Sequence, residues 1–281
     1  MRLAYSTNAY RRFSFAETAR RIADLGYQGL ELLADVPHAW PAWLPESSKQ
    51  AIRDGMSEHG LAFSNVNAFM MNAISDHRQP YWYPSWLEPD ADYRRVRIDH
   101  TKRALTLCAE LGAPHITTEP GGPISLGQSR EEAMRMFADG LAPVLEHAAD
   151  LGVLLLVEPE PGLLIETTDQ YLELAAMLDS PALGLNFDVG HAFCMREDLP
   201  AAIARCAGVT RHYHLEDIAA TRVHHHLVPG EGAIDFAAVV SAIRATGYDG
   251  WLTVELYPNV DDPDQAGARA LEVIRPLVSV V

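Results

Sequence analysis

A helix-like stretch that stops at glycine, followed within a few residues by an apolar run, recurs five times along the chain. It reads Asp24-Leu25-Gly26-Tyr27 before 29–33, His59-Gly60 before 61–66, and Glu110-Leu111-Gly112 before 116–118. It returns as Asp150-Leu151-Gly152 before 153–157 and as Thr246-Gly247-Tyr248 before 251–254. Glycine just past a helix end adopts the left-handed conformation that closes the last turn at little steric cost. Continuous apolar runs, as opposed to alternating ones, belong to parallel strands covered on both faces. The repeated unit is therefore α/β.

Eight strands are predicted, at 2–6, 29–33, 61–67, 115–119, 153–158, 183–188, 210–215 and 251–256. Helices are predicted at 14–25, 47–59, 91–111, 129–150, 168–178, 199–206, 236–246 and 264–277. Eight alternations in 281 residues fit a (β/α)8 TIM barrel, which closes at about this length as one domain spanning 1–281. An open doubly wound sheet remains the alternative, though no GxGxxG follows the first strand. The longest segments following strands are 34–46, 68–90 and 216–235, which a barrel gathers at its C-terminal mouth. Trp40, Trp43, Tyr81, Trp82, Tyr83 and Trp86 lie on two of them, either as pocket walls or as packing and subunit contacts. A homodimer is a reasonable expectation.

Charge narrows the partners. With 22 Lys+Arg against 38 Asp+Glu the formal net charge is −16, which disfavours nucleic acid because phosphate backbones are held by Lys and Arg. Cys108, Cys194 and Cys206 show no metal or disulfide spacing and read as reduced thiols of a cytoplasmic protein. Residues 1–6 lack the apolar core of a signal peptide, and the run 153–157 is far too short to cross a membrane.

The ends of the late strands carry the chemistry. Strand five ends Val157-Glu158-Pro159-Glu160, and strand six ends Phe187-Asp188-Val189-Gly190-His191. Strand seven reads His212-Tyr213-His214-Leu215-Glu216-Asp217, and strand eight ends Val254-Glu255-Leu256. Glu158, Asp188, His214 and Glu255 thus point at one mouth, and clustered carboxylates repel unless a cation neutralises them. Three carboxylates and one imidazole suit a single hard divalent ion, with Mn²⁺ expected first and Mg²⁺, Co²⁺ or Zn²⁺ as alternatives. Glu119 ends strand four on the same face and is a candidate substrate contact. Glu31 is read either as holding a metal-bound His or as an interior carboxylate. Glu160 is read either as a substrate contact or as facing water, and His115 as structural.

Phe187-Asp188-Val189-Gly190-His191-Ala192, His214-Leu215-Glu216-Asp217-Ile218 and Pro229-Gly230-Glu231-Gly232-Ala233-Ile234-Asp235-Phe236 resemble the xylose-isomerase-like barrel superfamily. That group includes sugar isomerases and epimerases, inosose and dehydroshikimate dehydratases, and abasic-site endonucleases. The resemblance implies that Glu158, Asp188, His214 and Glu255 bind one metal, and that Glu158 and Glu255 also shuttle protons. It implies substrate contacts from His191, Arg222 and His226. By analogy with the endonucleases, His191, His224 and His226 would instead hold a second metal, although Asn65-Val66-Asn67 and Glu119 stand where that group has histidines.

The function expected is a divalent-metal-dependent isomerase or epimerase of a small sugar-like carbonyl compound, working by proton abstraction beside the carbonyl. A dehydratase of a cyclic keto-polyol or keto-acid is the alternative, ahead of an endonuclease-like hydrolase or an inactive binding barrel. Arg11, Arg12 and Arg222 are the few cations near the mouth, so an unphosphorylated substrate is expected.

Overall fold

The computed structural model describes residues 1–78 and 81–279. Eight parallel strands close into one barrel: β1 (Arg2–Ser6), β2 (Gly29–Leu33), β3 (Ala62–Asn67), β4 (His115–Thr118), β5 (Leu154–Val157), β6 (Leu183–Asp188), β7 (Thr210–Leu215) and β8 (Trp251–Val254). Closure comes from β1 pairing with β8, with Leu3 opposite Leu252 and Tyr5 opposite Val254.

The surrounding helices are α1 (Phe15–Leu25), α2 (Glu46–Glu58), α3 (Ala91–Leu111), α4 (Arg130–Leu151), α5 (Thr168–Leu178), α6 (Val189–Cys194), α7 (Leu199–Cys206), α8 (Phe236–Ala245) and α9 (Pro263–Ser279). Their stops follow from the repeated glycine: Gly112 (φ 73°) and Gly152 (φ 67°) end α3 and α4 in the left-handed region. Their starts are capped by side chains, with reciprocal capping boxes at Ser129/Glu132 and Thr167/Gln170. Among the described residues no helix is long and apolar enough to cross a membrane.

Two differences from the sequence expectation bear on the site. Strands five and eight stop at Val157 and Val254, so Glu158 and Glu255 stand one residue past the ladder. Their amides still bond the neighbouring strands, Glu158 to the Thr118 carbonyl at 3.4 Å and Glu255 to the Leu215 carbonyl at 3.1 Å. The second is α6, a six-residue helix unforeseen in the sequence, where the Asp188 side chain accepts from the His191 amide and supplies the N-cap.

The barrel is lined by polar side chains where many barrels carry branched apolar ones. Asn65 Nδ2 donates to Glu31 (2.7 Å) and Thr117 (2.8 Å), Asn65 Oδ1 meets His115 Nδ1 at 2.8 Å, and Thr253 bonds Ser64 at 3.0 Å. His115 is thus a structural partner of Asn65. The ladder register shifts at two places, between Leu30 and Glu31 and between Leu185 and Asn186. Such irregularities re-aim side chains, and here both immediately precede a residue that braces the site at the mouth.

Candidate metal centre

Each of the four strand-end residues has one ligand atom tied behind and one left forward. Glu158 Oε2 accepts from Asn186 Nδ2 at 2.9 Å, leaving Oε1 free of that bond. Glu255 Oε1 accepts from Asn8 Nδ2 (2.9 Å) and Asn67 Nδ2 (3.2 Å), leaving Oε2. Asp188 Oδ1 caps α6 through the His191 amide at 2.6 Å, while its buried Oδ2 has no hydrogen-bond partner. His214 Nε2 lies 2.7 Å from Glu31 Oε2, leaving Nδ1 forward. The forward atoms converge: His214 Nδ1 stands 3.0 Å from Glu158 Oε1, 3.8 Å from Asp188 Oδ2 and 3.7 Å from Glu255 Oε2. Ligand atoms of all four residues lie within 4.8 Å of one another, and all four residues are buried.

The electrostatics record the crowding. Burial, with Glu158 adding repulsion, pushes the Asp188 carboxyl up to about 7. Burial and the neighbouring Glu158, Glu31 and Asp188 likewise hold the Glu255 carboxyl well above its ordinary range, against the pull of His214. Burial alone would depress the His214 imidazole, but Glu158, Glu31 and Glu255 outweigh it and hold it well above 6.5. Buried carboxylates that each aim one oxygen at a single imidazole nitrogen are the donor set of a hard divalent cation. The residues present fit that group.

Above these four residues opens a cavity. Glu158 and Glu255 line it, whereas Asp188 and His214 are not among its lining residues. Its walls are Asn67, Phe69 and Met70 from the end of β3 onward, Tyr81 from the same loop, Glu160, and Tyr257 beyond β8. His191, His224 and His226 complete it. Their Nε2 atoms meet, His226 lying 3.3 Å from His191 and 3.2 Å from His224. Nδ1 of His191 is 2.9 Å from the Pro159 carbonyl and Nδ1 of His226 is 3.0 Å from the Glu255 carbonyl. A carbonyl only accepts, so those Nδ1 atoms carry protons and the Nε2 atoms of the neutral rings present lone pairs. Burial keeps the rings neutral, pulling His224 down to about 4 and the other two well below 6.5.

Of the residues expected to contact substrate, His191 and His226 line the cavity, and Glu119 and Arg222 do not. Glu119 turns towards the β3–α3 loop, accepting from the Trp86 amide at 3.2 Å. Arg222 lies over the Phe193 ring, 4.0 Å from its centre, and donates to the Phe193 carbonyl. Stacking on an aromatic face and a main-chain acceptor satisfy its guanidinium at the rim. Among the loop aromatics, Tyr81 faces the cavity, Trp86 packs on Phe137, Trp40 stacks on His100, and Trp43 is 84% exposed.

Sequence reasoning did not find the amides of Asn8, Asn67 and Asn186 that hold the carboxylates. It also gave no role to Glu216, fully buried with both oxygens unpartnered, packed so tightly on Gly190 that a Cβ there would collide with it. The neighbouring Asp217 explains the Pro229–Phe236 motif: its carboxylate accepts from the amides of Gly230 (2.9 Å), Gly232 (2.8 Å) and Ile234 (3.1 Å) and so pins that turn.

The sequence profile described as the xylose isomerase-like TIM barrel matches residues 19–277. The chain belongs to that family. Its family relatives include epimerases, isomerases and inosose dehydratases. The inosose dehydratase of Clostridium beijerinckii is 29% identical over 225 residues, covering 69% of this chain and 74% of that protein. The fructoselysine 3-epimerase of Escherichia coli O157:H7 is 24% identical over 286 residues, covering 99% of this chain and 98% of the other. Among solved structures, the IolI protein with a bound zinc atom superposes with a TM-score of 0.80 at 19% identity, covering 99% of this chain and 98% of the other.

Proposed function

We propose that this family member is a divalent-metal-dependent isomerase or epimerase of a small sugar-like carbonyl compound. Glu158, Asp188, His214 and Glu255 would hold the ion, which supplies a Lewis acid that makes the hydrogen beside a carbonyl acidic. Mn²⁺ is our expectation, with Mg²⁺, Co²⁺ and Zn²⁺ fitting the same donors. The single observation that carries the reading is the convergence of four forward atoms, each with its other side anchored.

Glu158 and Glu255 are the ligands that also line the cavity, so they are the two carboxylates placed to take a proton from substrate carbon and return one. Removal on one face and return on the other at the same carbon inverts its configuration; return at the adjacent carbon moves the carbonyl. His191 and His226 are placed to bind substrate hydroxyls. The full-length match to a 3-epimerase supports this outcome. The match to an inosose dehydratase supports the alternative, in which a neighbouring hydroxyl leaves instead. The deciding experiment is turnover of ketoses and inososes by the Mn²⁺-loaded protein in D₂O. Deuterium at an inverted or newly reduced carbon supports proton transfer by Glu158 and Glu255. Growth of conjugated-enone absorbance supports the dehydratase. Neither signal, from protein that retains its metal, sinks both.

A second reading concerns cation number. The meeting of three histidine Nε2 atoms, two of them presenting lone pairs, favours a further divalent ion held by His191, His224 and His226. Metal analysis of chelator-free protein decides it: two ions per chain, falling to one in His224→Ala, supports the reading, and one ion in both refutes it.

A further inference from the structure

Resting on that reading of the site, we infer that the substrate is an uncharged keto-polyol, bearing neither phosphate nor carboxylate, and that Glu160 sets this limit.

Glu160 stands two residues past Glu158, on a loop locked by main-chain bonds: its amide donates to the Ile165 carbonyl at 2.9 Å, and its carbonyl accepts from the Leu163 amide at 3.2 Å. Its side chain is buried and lines the cavity. Among the described residues the one basic group within 4.0 Å of its carboxyl is His224 Nδ1, at 3.9 Å, and no hydrogen bond reaches its oxygens. A buried carboxyl left without protein partners costs stability, and native structures retain such groups where a ligand completes them.

The chemistry of that ligand follows from what surrounds it. No Lys or Arg is among the described residues lining the cavity, although phosphate and carboxylate recognition draws on guanidinium and ammonium groups. The three metal-ligand carboxylates carry one more negative charge than a divalent ion neutralises, so an entering anion meets a site of its own sign. A sugar hydroxyl both donates and accepts, and therefore matches the Glu160 carboxyl whether or not it carries a proton; an anionic oxygen only accepts, and finds a donor there only when that carboxyl is protonated. Opposite chemistry is offered by the aromatic wall, where Tyr81 meets Tyr257 edge-on at 5.8 Å and Phe69 at 6.2 Å. That wall suits the C–H face of a ring.

The test is calorimetric binding to the Mn²⁺-loaded protein of three probe types: a neutral ketohexose and inosose, a ketohexose 6-phosphate, and a cyclic keto-acid. The wild type is expected to bind a neutral probe at least 100-fold more tightly than either anion. Glu160→Lys is expected to narrow that gap at least tenfold. Should the lysine variant not fold by circular dichroism, Glu160→Gln, whose amide adds a donor, is expected to narrow it at least threefold. Equal or tighter binding of an anion by the wild type, or no binding of any neutral probe, overturns the inference. So does an unchanged gap in the folded variant. Selective binding of a neutral probe without turnover supports this inference while refuting the proposed reaction, so the two failures are separable.

Discussion

Nε2 of His214 sits 2.7 Å from Oε2 of Glu31, a carboxylate 183 residues earlier in the chain and fully buried inside the barrel. The contact fixes a proton on Nε2, since Glu31 is held ionised by His214 against its own burial. Nδ1 then faces Glu158 Oε1 at 3.0 Å, and two acceptors cannot stand that close without a shared cation. In metal-free protein a second ring proton fills that role, in keeping with the raised imidazole. A divalent ion bound there would displace it, so metal uptake is expected to release a proton and to tighten as pH rises.

Glu31→Gln keeps the size of the brace and removes its charge. Partners that orient a metal-bound histidine are worth about 10–100-fold in metal affinity, so Mn²⁺ affinity by calorimetry is expected to fall by that factor. Turnover at saturating metal should change much less. An unaltered affinity would refute the bracing role.

Asp188→Asn retains a side-chain oxygen to cap α6 and removes one charge from a crowded centre. Metal content is expected to fall at least 100-fold, with activity lost alongside. Metal-free protein should become more stable by about 1 kcal/mol, a rise of roughly 2–4 °C in Tm for a chain of this size. Calorimetry with and without Mn²⁺ reads both effects. A fall in metal-free Tm would show that the carboxylates do not repel.

Burial pushes Glu119 up to about 7, despite the nearby Arg97, and its Oε2 has no partner. Between about 4.5 and 7 the folded state therefore keeps a proton that the unfolded chain has lost. Stability contributed by this group falls as pH rises across that window and is level above it, by up to about 1.4 kcal/mol per pH unit. Glu119→Gln should flatten this part of the pH–stability curve. Denaturant titrations of both proteins from pH 4.5 to 8 provide the check: parallel curves would contradict it.

Arg97 on α3 is wholly buried and donates to four main-chain carbonyls of the β3–α3 loop: Ala68 (3.1 Å), Phe69 (2.8 Å), Trp82 (2.8 Å) and Pro84 (3.0 Å). These flank Phe69 and Tyr81 of the cavity wall. Arg97→Met strands those acceptors and is expected to cost about 3 kcal/mol or more. KM should rise at least tenfold with metal content unchanged when measured well below Tm. A stability loss without a KM change would confine Arg97 to a packing role.

The barrel was legible because strands covered on both faces are written as uninterrupted apolar runs, and because glycine stops punctuate them. Asp188, His214 and Glu255 stood out because a charged residue closing an apolar strand is unusual enough to notice. Asn186 did not, since an amide carries no charge signature; its role emerges when the irregular register of β6 turns it onto Glu158. Arg222 was drawn by type and proximity, yet a rim aromatic claimed it. Sequence spacing conveys which strand a side chain leaves, and not which neighbour satisfies it.

The candidate cation-binding side chains come from the ends of β5 to β8, whereas Phe69, Met70 and Tyr81 arrive from the loop after β3. The two sets occupy different arcs of one ring. Grafting another relative's 68–90 segment onto this scaffold would therefore retune which molecules are admitted while the chemistry at the opposite arc goes on as before.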